Sequence, residues 1–283
     1  MSGQVDSVDD VETEGRRQTL ARALAWAGAG VLAVLFLLGT VNLVAPHVLS
    51  GGLLVSDELT LPPARARPQA AIVDQTGLSF PSEPFIAAAT ALLEDAGYEV
   101  TYHAPEEITV SFYRSLPGRG YDFIVFQTHA TSQVVARDGG QSEKPPGPFL
   151  FTTEPYETQR HLALQMSDQV RASQLFYEDA PELFAVGPAF VRRSMQGFFP
   201  GTAVIIGGCQ SLAAPGLATA LLDKGASVVV GWDGMVNLSH NNEAVLHLLE
   251  MLVDGATASD AVETTMDAVG PDPQFRSELK LME

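Results

Sequence analysis

The sequence predicts an α/β domain with a mostly parallel central sheet, because short apolar runs alternate along the chain with segments of helical spacing. Three of these runs end in polar residues, as buried parallel strands do where they open into loops. They are residues 70–73, 123–126 and 203–206. A much longer apolar run near the N-terminus predicts one transmembrane helix before the domain.

The segments between the apolar runs complete a strand and helix alternation. Helices are predicted over 83–96, near 110–116, over 215–224 and over 241–253, and further strands over 98–102 and 227–232. Glycines stand where three of these helices end, at Gly97, Gly225 and Gly255. Such an alternation predicts a sheet that is covered on both faces and binds ligands beyond the carboxyl ends of its strands.

Residues 130–200 interrupt the alternation. Within them, 139–147 is rich in glycine and proline, and an apolar run over 149–153 leads into polar, aromatic-rich segments. We interpret this stretch as a β-rich insertion that lies over the functional site. The whole domain is predicted to span residues 69–283.

The N-terminal run over residues 23–45 carries no charge and is long enough to cross about 30 Å of hydrocarbon as a helix. Arg16, Arg17 and Arg22 precede it, which by the positive-inside tendency leaves 1–22 as a cytoplasmic tail. Residues 46–68, with their glycine and proline pairs, are typical of a stiff linker. We therefore expect a single-pass protein of the cell membrane with an extracytoplasmic domain.

Charge and cysteine content limit the classes of partner. A formal net charge of −18 argues against a nucleic-acid partner, since binding phosphates requires clustered Lys and Arg. The single cysteine, Cys209, excludes an intrachain disulfide and a multi-thiolate zinc site. His240 and His247 lie seven residues apart without further ligands nearby in sequence. We therefore predict no metal and no other cofactor.

Cys209 and His129 are the candidate catalytic pair. Cys209 follows a predicted strand and two glycines, where the chain can turn sharply and leave the Cys209 amide free to bind an oxyanion. His129 follows another predicted strand, and a parallel sheet would bring the two strand ends together. A cysteine peptidase needs a thiol that attacks the carbonyl carbon and an imidazole that protonates the leaving amine, and this pair could supply both. The alternatives are a thiol that only packs and a histidine that only bonds a loop.

These residues resemble the caspase-like clan of cysteine peptidases, and within it the bacterial CHAT domains, over roughly residues 70–270. The run YDFIVFQTH at 121–129 resembles the strand that carries the clan's catalytic histidine, and AVIIGGC at 203–209 resembles the strand that carries its cysteine. Residues 216–232 resemble the CHAT pattern of a helix that ends in Gly-Ala before a valine-rich strand. The resemblance implies a three-layer sandwich and an oxyanion hole formed by the amides of Cys209 and Ala130.

Two positions depart from the clan's pattern. The clan usually has glycine after its histidine, where this chain has Ala130, and alanine or another small residue before its cysteine, where this chain has Gly208.

The resemblance also implies a substrate pocket. In the clan, the end of the first strand often lines the pocket for the residue before the scissile bond, and Asp74 occupies that place. A carboxylate there would favour Arg or Lys, with Asp233 as a second negative charge. The alternative is that Asp74 only caps a loop.

The sequence therefore predicts a membrane-anchored cysteine peptidase with a preference for basic residues, acting on peptides or proteins. Two alternatives stay open. In one, an amidohydrolase of the glutamine-amidotransferase type uses Cys209 with His240 as the base and Glu243 as its orienting partner. In the other, the domain keeps the caspase-like fold, has no catalytic activity and serves as a binding module.

Overall fold

The computed structural model describes residues 67–132, 147–175, 177 and 179–283. The predicted tail over 1–22, the predicted transmembrane helix over 23–45 and nearly all of the linker over 46–68 lie outside these residues. Within the described part of the chain, no helix combines the length and the apolar character needed to cross a membrane.

The described residues form two β-sheets and several helices. The strands are β1 (Gln69–Asp74), β2 (Glu99–His103), β3 (Phe123–Gln127), β4 (Ala130–Thr131), β5 (Phe149–Pro155), β6 (Val170–Gln174), β7 (Glu182–Val186), β8 (Ala203–Gly207), β9 (Val228–Trp232) and β10 (Leu279–Met282). The helices are α1 (Glu83–Asp95), α2 (Val110–Ser115), α3 (Leu162–Met166), α4 (Pro188–Arg193), α5 (Gly216–Asp223), α6 (Leu238–Val253) and α7 (Ala258–Ala268).

The central sheet has six strands in the order β2-β1-β3-β8-β9-β10. The first five are parallel, and β10 pairs with β9 in the antiparallel sense at one edge. This confirms the predicted mixed α/β class with a mostly parallel central sheet. The edge strand β10 was not predicted, because four residues with an exposed lysine give no extended apolar run.

Helices cover both faces of the central sheet. Side chains alternate along each strand, so Ile72 and Val125 face one layer while Val73 and Ile124 face the other. The first layer contains α1, α6 and α7, and the second contains α2, α4 and α5. The result is a three-layer sandwich whose inner strands are mostly apolar because both of their faces are buried, whereas the edge strand β2 carries polar and exposed side chains.

The smaller sheet occupies the stretch that interrupts the alternation. Its four antiparallel strands have the order β4-β5-β7-β6 and lie between Ala130 and Val186. Leu150, Phe184 and Val186 join the core of the second helical layer, which fixes this sheet against the domain. Strand β4 begins at the residue after His129, so the smaller sheet starts at the candidate site.

Candidate functional site

Strand register brings His129 and Cys209 to the same edge of the central sheet. Strands β3 and β8 are parallel neighbours, and their last residues, Gln127 and Gly207, are directly paired. His129 and Cys209 each stand two residues beyond that pair, and the Thr128 amide still donates to the Gly207 carbonyl at 3.2 Å. The predicted adjacency of the two strand ends is therefore present.

Gly208 permits this close approach. A Cβ atom at residue 208 would lie 2.2 Å from the backbone oxygen of Thr128, far inside any normal contact. The two chains that leave β3 and β8 can touch only because residue 208 has no side chain.

A cavity of about 300 Å³, here called the Cys209 cavity, contains both candidate residues. This volume is at the small end of the range for ligand pockets, about 300–1,000 Å³. Its lining includes no Asp, Glu, Lys or Arg. The lining residues are Thr76, Phe80, Thr128, His129, Gly207, Gly208, Cys209, Met235, Val236, Asn237, Leu238, Asn241 and Phe275.

The imidazole of His129 is held by the β1–α1 loop, residues 75–82. Its Nε2 lies 3.0 Å from the Oγ of Ser79, and that hydroxyl donates to the Thr76 carbonyl at 3.1 Å. A hydroxyl has one hydrogen to donate, so Ser79 accepts from His129 and the Nε2 atom carries the proton. The unprotonated Nδ1 is then the atom that can act as a base, and it has no hydrogen-bond partner among the described residues.

Aromatic neighbours bury the His129 ring. The rings of Phe80 and Phe151 meet it edge to face, with centroids 5.6 Å and 5.9 Å away. Burial lowers the pKa of His129 to about 4, because the charged imidazolium loses its hydration. The imidazole is therefore neutral near pH 7.

The thiol of Cys209 is bound to the β9–α6 loop, residues 233–237. It donates to the Val236 carbonyl at 3.5 Å and accepts from the Val236 amide at 3.5 Å. Burial raises the pKa of the thiol, the amides of Val236 and Cys209 oppose that rise, and the charge of Asp272 adds to it. The sulfur is thus a neutral thiol in this state, and no hydrogen bond joins it to His129 within the described residues.

Asp272 holds the wall of the cavity, a role that the sequence did not reveal. Its carboxylate is completely buried and accepts from the backbone amides of Asn237, Gln274 and Phe275 at 2.7–2.9 Å, and from the Asn237 side chain at 3.1 Å. Burial alone would raise the pKa of Asp272, but these donors lower it below its usual value. The carboxylate therefore ties the β9–α6 loop to the α7–β10 loop, residues 269–278.

Two glutamines fix the backbone on either side of the pair. Gln75 accepts from the His129 amide at 2.8 Å and donates to the Thr152 carbonyl at 3.2 Å. Gln210 has a φ of 58° in the left-handed region, and its side-chain oxygen accepts from the amide and hydroxyl of Ser132. A non-glycine residue in that region indicates a tightly constrained turn directly after Cys209.

Helix α6 is anchored beneath the site through Asn241. Its side chain accepts from the Trp232 indole at 2.8 Å and donates to Gln127 at 3.0 Å. All three residues are buried, so the ends of β3 and β9 and the first turns of α6 form one hydrogen-bonded unit.

The predicted oxyanion amides, of Cys209 and Ala130, lie at the same edge of the sheet. The Cys209 amide donates to no backbone carbonyl in the described part of the chain. Ala130 is buried at the start of β4, has no positive φ, and does not line the Cys209 cavity. Alanine thus brings no left-handed strain at this position.

Asp74 lines a second cavity, of about 550 Å³, here called the Asp74 cavity. Its carboxylate, 4% exposed, accepts from the hydroxyls of Tyr102 at 3.0 Å and Thr76 at 3.2 Å. Burial raises the pKa of Tyr102 to about 12, with Asp74 as the next cause. Residues of the β1–α1 loop line both cavities, and Asp74 is not brought together with Cys209.

Asp233 also lies apart from the pair. It is exposed, accepts from the Glu278 amide at 2.9 Å, and is 3.9 Å from the Lys280 ammonium. These contacts connect the end of β9 to the start of β10, and Asp233 lines neither cavity.

His240 and His247, the other two histidines considered in the sequence analysis, form hydrogen bonds near the C-terminal end of helix α7. His240 Nε2 donates to the Gly270 carbonyl at 3.0 Å, and its ring packs against Trp232. His247 Nδ1 lies 3.0 Å from the Thr265 hydroxyl. Neither of them, nor Glu243, lines the Cys209 cavity. Within the described ranges, no group of three or more His, Cys, Asp or Glu side chains is arranged to hold a metal ion.

Comparisons with known proteins give little beyond this geometry. No protein-family model matches the sequence, and no curated protein matches it. Among solved structures, the crystal structure of the Arg-specific cysteine proteinase gingipain R is similar with a TM-score of 0.41 and 9% identity. The alignment covers 71% of this chain and 42% of that one. So loose a superposition identifies neither catalytic residues nor a substrate here, and the likeness to CHAT domains stays a prediction.

Proposed function

We propose that this chain is a membrane-anchored cysteine peptidase in which Cys209 is the nucleophile and His129 transfers protons. One observation supports the proposal above all others. The only thiol in the sequence and a neutral imidazole stand two residues beyond directly paired strand ends and line one small cavity.

The chemistry follows from the states of the two groups. As the Cys209 sulfur attacks the carbonyl carbon, its proton passes to Nδ1 of His129, and the carbonyl oxygen becomes an oxyanion. The amides of Cys209 and Ala130 are the proposed donors to that oxyanion. The imidazolium then gives its proton to the departing amine, which leaves a thioester that water hydrolyses. A thiol of raised pKa reacts slowly on its own, so the base is essential.

The resting contacts must change during this reaction. The thiol has to leave the Val236 carbonyl before it can approach a substrate carbon. Ser79, in contrast, can keep its bond to Nε2 throughout, because Nδ1 is the atom that exchanges the proton. Ser79 is thus a positioning residue that fixes the tautomer of His129.

The glutamine-amidotransferase alternative receives less support. It requires His240 to act on Cys209, but the His240 Nε2 proton is used by the Gly270 carbonyl and the residue does not line the Cys209 cavity. A caspase-like binding module without activity fits the same fold, and only an assay separates it from a peptidase.

Membrane anchoring is part of the proposal and rests on residues 23–45 of the sequence. The full-length chain should sediment with membranes, and protease added outside intact cells should digest the domain. Digestion only after lysis would reverse the proposed orientation.

The catalytic proposal is tested by replacing the nucleophile Cys209 and the two candidate bases, His129 and His240, one at a time. Full-length parent, Cys209→Ala, His129→Ala and the control His240→Ala are assayed against a library of fluorogenic peptide amides. Cys209→Ala and His129→Ala should lower the rate about a thousandfold or more, whereas His240→Ala should retain it. Loss in His240→Ala with activity in His129→Ala would establish the amidotransferase arrangement. A parent without turnover on any member of the library would favour the binding module.

The basic-residue preference predicted from Asp74 and Asp233 stays a prediction. Neither carboxylate lines the cavity that contains the thiol.

A further inference from the structure

We propose that the Cys209 cavity binds the side chain of the substrate residue before the scissile bond, and that this side chain is apolar, of the size of leucine or phenylalanine. The inference rests on the proposed function and specifies its substrate class.

The position of the thiol dictates which substrate residue can enter. The carbonyl carbon that sulfur attacks is bonded to the α carbon of the residue before the scissile bond. That residue's side chain therefore begins two bonds from the attacked carbon. Since Cys209 and His129 both line the cavity, a substrate in reach of the sulfur places this side chain at the cavity's opening.

The lining then decides which side chains are accepted. Beside Cys209 and His129, most large residues of the lining are apolar, namely Phe80, Met235, Val236, Leu238 and Phe275, and the polar ones, Thr76, Thr128, Asn237 and Asn241, are uncharged. No lining residue carries a formal charge at neutral pH, because His129 is itself held neutral by burial. A Lys, Arg, Asp or Glu side chain would lose hydration there without meeting a counter-charge, which is costly.

The apolar wall is held in place by bonds from outside the cavity. Asp272 accepts from the amides of Asn237 and Phe275, and the Ser277 hydroxyl donates to the Met235 carbonyl. These bonds involve the backbones of Met235 and Phe275, so both side chains stay free to contact a ligand. A wall fixed in this way needs little ordering when a substrate enters.

Two of the residues that line the Cys209 cavity are partly exposed aromatic side chains. Phe80 is 46% exposed and Phe275 is 38% exposed, although both line the cavity. Large apolar side chains left partly in water gain free energy when a ligand covers them. An apolar substrate residue would cover both at once.

Peptidyl probes with a thiol-reactive group test the proposal on the full-length chain. The probes differ only in the residue next to the reactive group, which is Gly, Leu, Phe, Lys or Asp. Labelling of Cys209 is followed by intact-mass spectrometry, and each rate is divided by the rate with iodoacetamide to correct for thiol reactivity. We expect Leu and Phe to react at least about tenfold faster than Gly, Lys and Asp. A faster reaction with Lys or Asp, or equal rates for all five, overturns the inference.

A matched pair of methionine substitutions localises the effect. Met235→Glu puts a carboxylate into the cavity, and Met166→Glu makes the same change at a side chain that is 82% exposed and lines neither cavity. Met235→Glu should lower the Leu rate relative to iodoacetamide about tenfold and raise the Lys rate. Met166→Glu should leave both unchanged. Equal behaviour of the two variants would place the specificity elsewhere.

Failure of the proposed function gives a different result. If His129→Ala is labelled by every peptidyl probe as fast as the parent, the catalytic pair itself is wrong. If labelling depends on His129 but is fastest with a charged residue, the pair stands and only the apolar specificity is wrong.

Discussion

The two cavities on either side of the β1–α1 loop differ in the groups that they contain. The Cys209 cavity contains a thiol and an imidazole in an apolar wall without carboxylates. The Asp74 cavity is larger and is lined by three carboxylates, those of Asp74, Glu83 and Glu106, and it contains neither His nor Cys. Among the residues that line the two cavities, the carboxylates therefore lie in a different cavity from the thiol and the imidazole.

That separation has a physical consequence for the pair. A carboxylate beside His129 would stabilise the imidazolium and raise the pKa of the base. In its absence burial dominates, and the imidazole remains a proton acceptor down to about pH 4. The Asp272 carboxylate raises the pKa of the thiol, and its charge is shared among three backbone amides and the Asn237 side chain.

The largest predicted effect is the loss of stability on Asp272→Ala, in the wall of the Cys209 cavity. The substitution leaves buried amides of both loops without their charged acceptor, and hydrogen bonds to charged groups contribute about 1.5–3 kcal/mol each. We expect the free energy of unfolding to fall by about 3–5 kcal/mol, measured by urea denaturation. The control is Asp233→Ala, which removes an exposed carboxylate that accepts from one amide, and it should cost about 1 kcal/mol or less.

A similar cost for Asp272→Ala and Asp233→Ala would contradict the role of Asp272. The wall of the Cys209 cavity would then be held by its apolar packing alone.

A smaller effect should appear in the pH dependence of stability through His129. Its pKa is about 4 in the folded chain and about 6.5 in the unfolded chain. Between these values the unfolded chain binds a proton that the folded chain does not, so stability is fully present above pH 6.5 and declines as the pH falls. The decline should reach about 3 kcal/mol at pH 4.

Urea unfolding of the parent and of His129→Gln across this range measures the contribution. The two curves should converge at low pH, because glutamine does not titrate. Parallel curves for the parent and His129→Gln would show that His129 is well hydrated.

The smallest effect concerns the Asp74 cavity and should leave the other cavity unchanged. Asp74→Asn removes a charge that raises the pKa of Tyr102, so this pKa should fall from about 12 towards 10, with burial keeping it above 10. Tyrosinate absorbance during an alkaline titration measures the shift. Glu106→Gln, a weaker contributor, should shift it less.

In the same Asp74→Asn variant, alkylation of Cys209 by iodoacetamide should change less than about twofold, because Asp74 does not line its cavity. A selective loss of activity on Lys and Arg substrates would instead support the preference predicted from the sequence.

The inner parallel strands could be predicted because burial on both faces leaves few polar positions in them. Residues 123–126 and 203–206 are therefore unbroken apolar runs, and their neighbouring positions in the sheet follow from the strand and helix alternation. The apolar pattern of a strand does not predict which way a side chain beyond the strand's end points. Asp74 stands at the end of β1 as predicted, but its carboxylate bonds Tyr102 on the far side of the β1–α1 loop.

The hydrogen bonds that Asp272 makes across two loops could not be predicted from sequence periodicity, for a different reason. Asp272 and Asn237 are 35 residues apart and belong to loops whose proximity depends on β10 pairing with β9. Helix α6 begins at Leu238, three residues earlier than predicted, because Ser239 and His240 gave its first turn no apolar signal.

Gly208 has a consequence for how this chain can diverge. A single methyl group at residue 208 would overlap the Thr128 carbonyl. A descendant with alanine at this position would need strands β3 and β8 to spread at their ends, and so would carry a compensating change elsewhere. Glycine at residue 208 should therefore persist even in descendants that have lost Cys209, since backbone space rather than chemistry selects it.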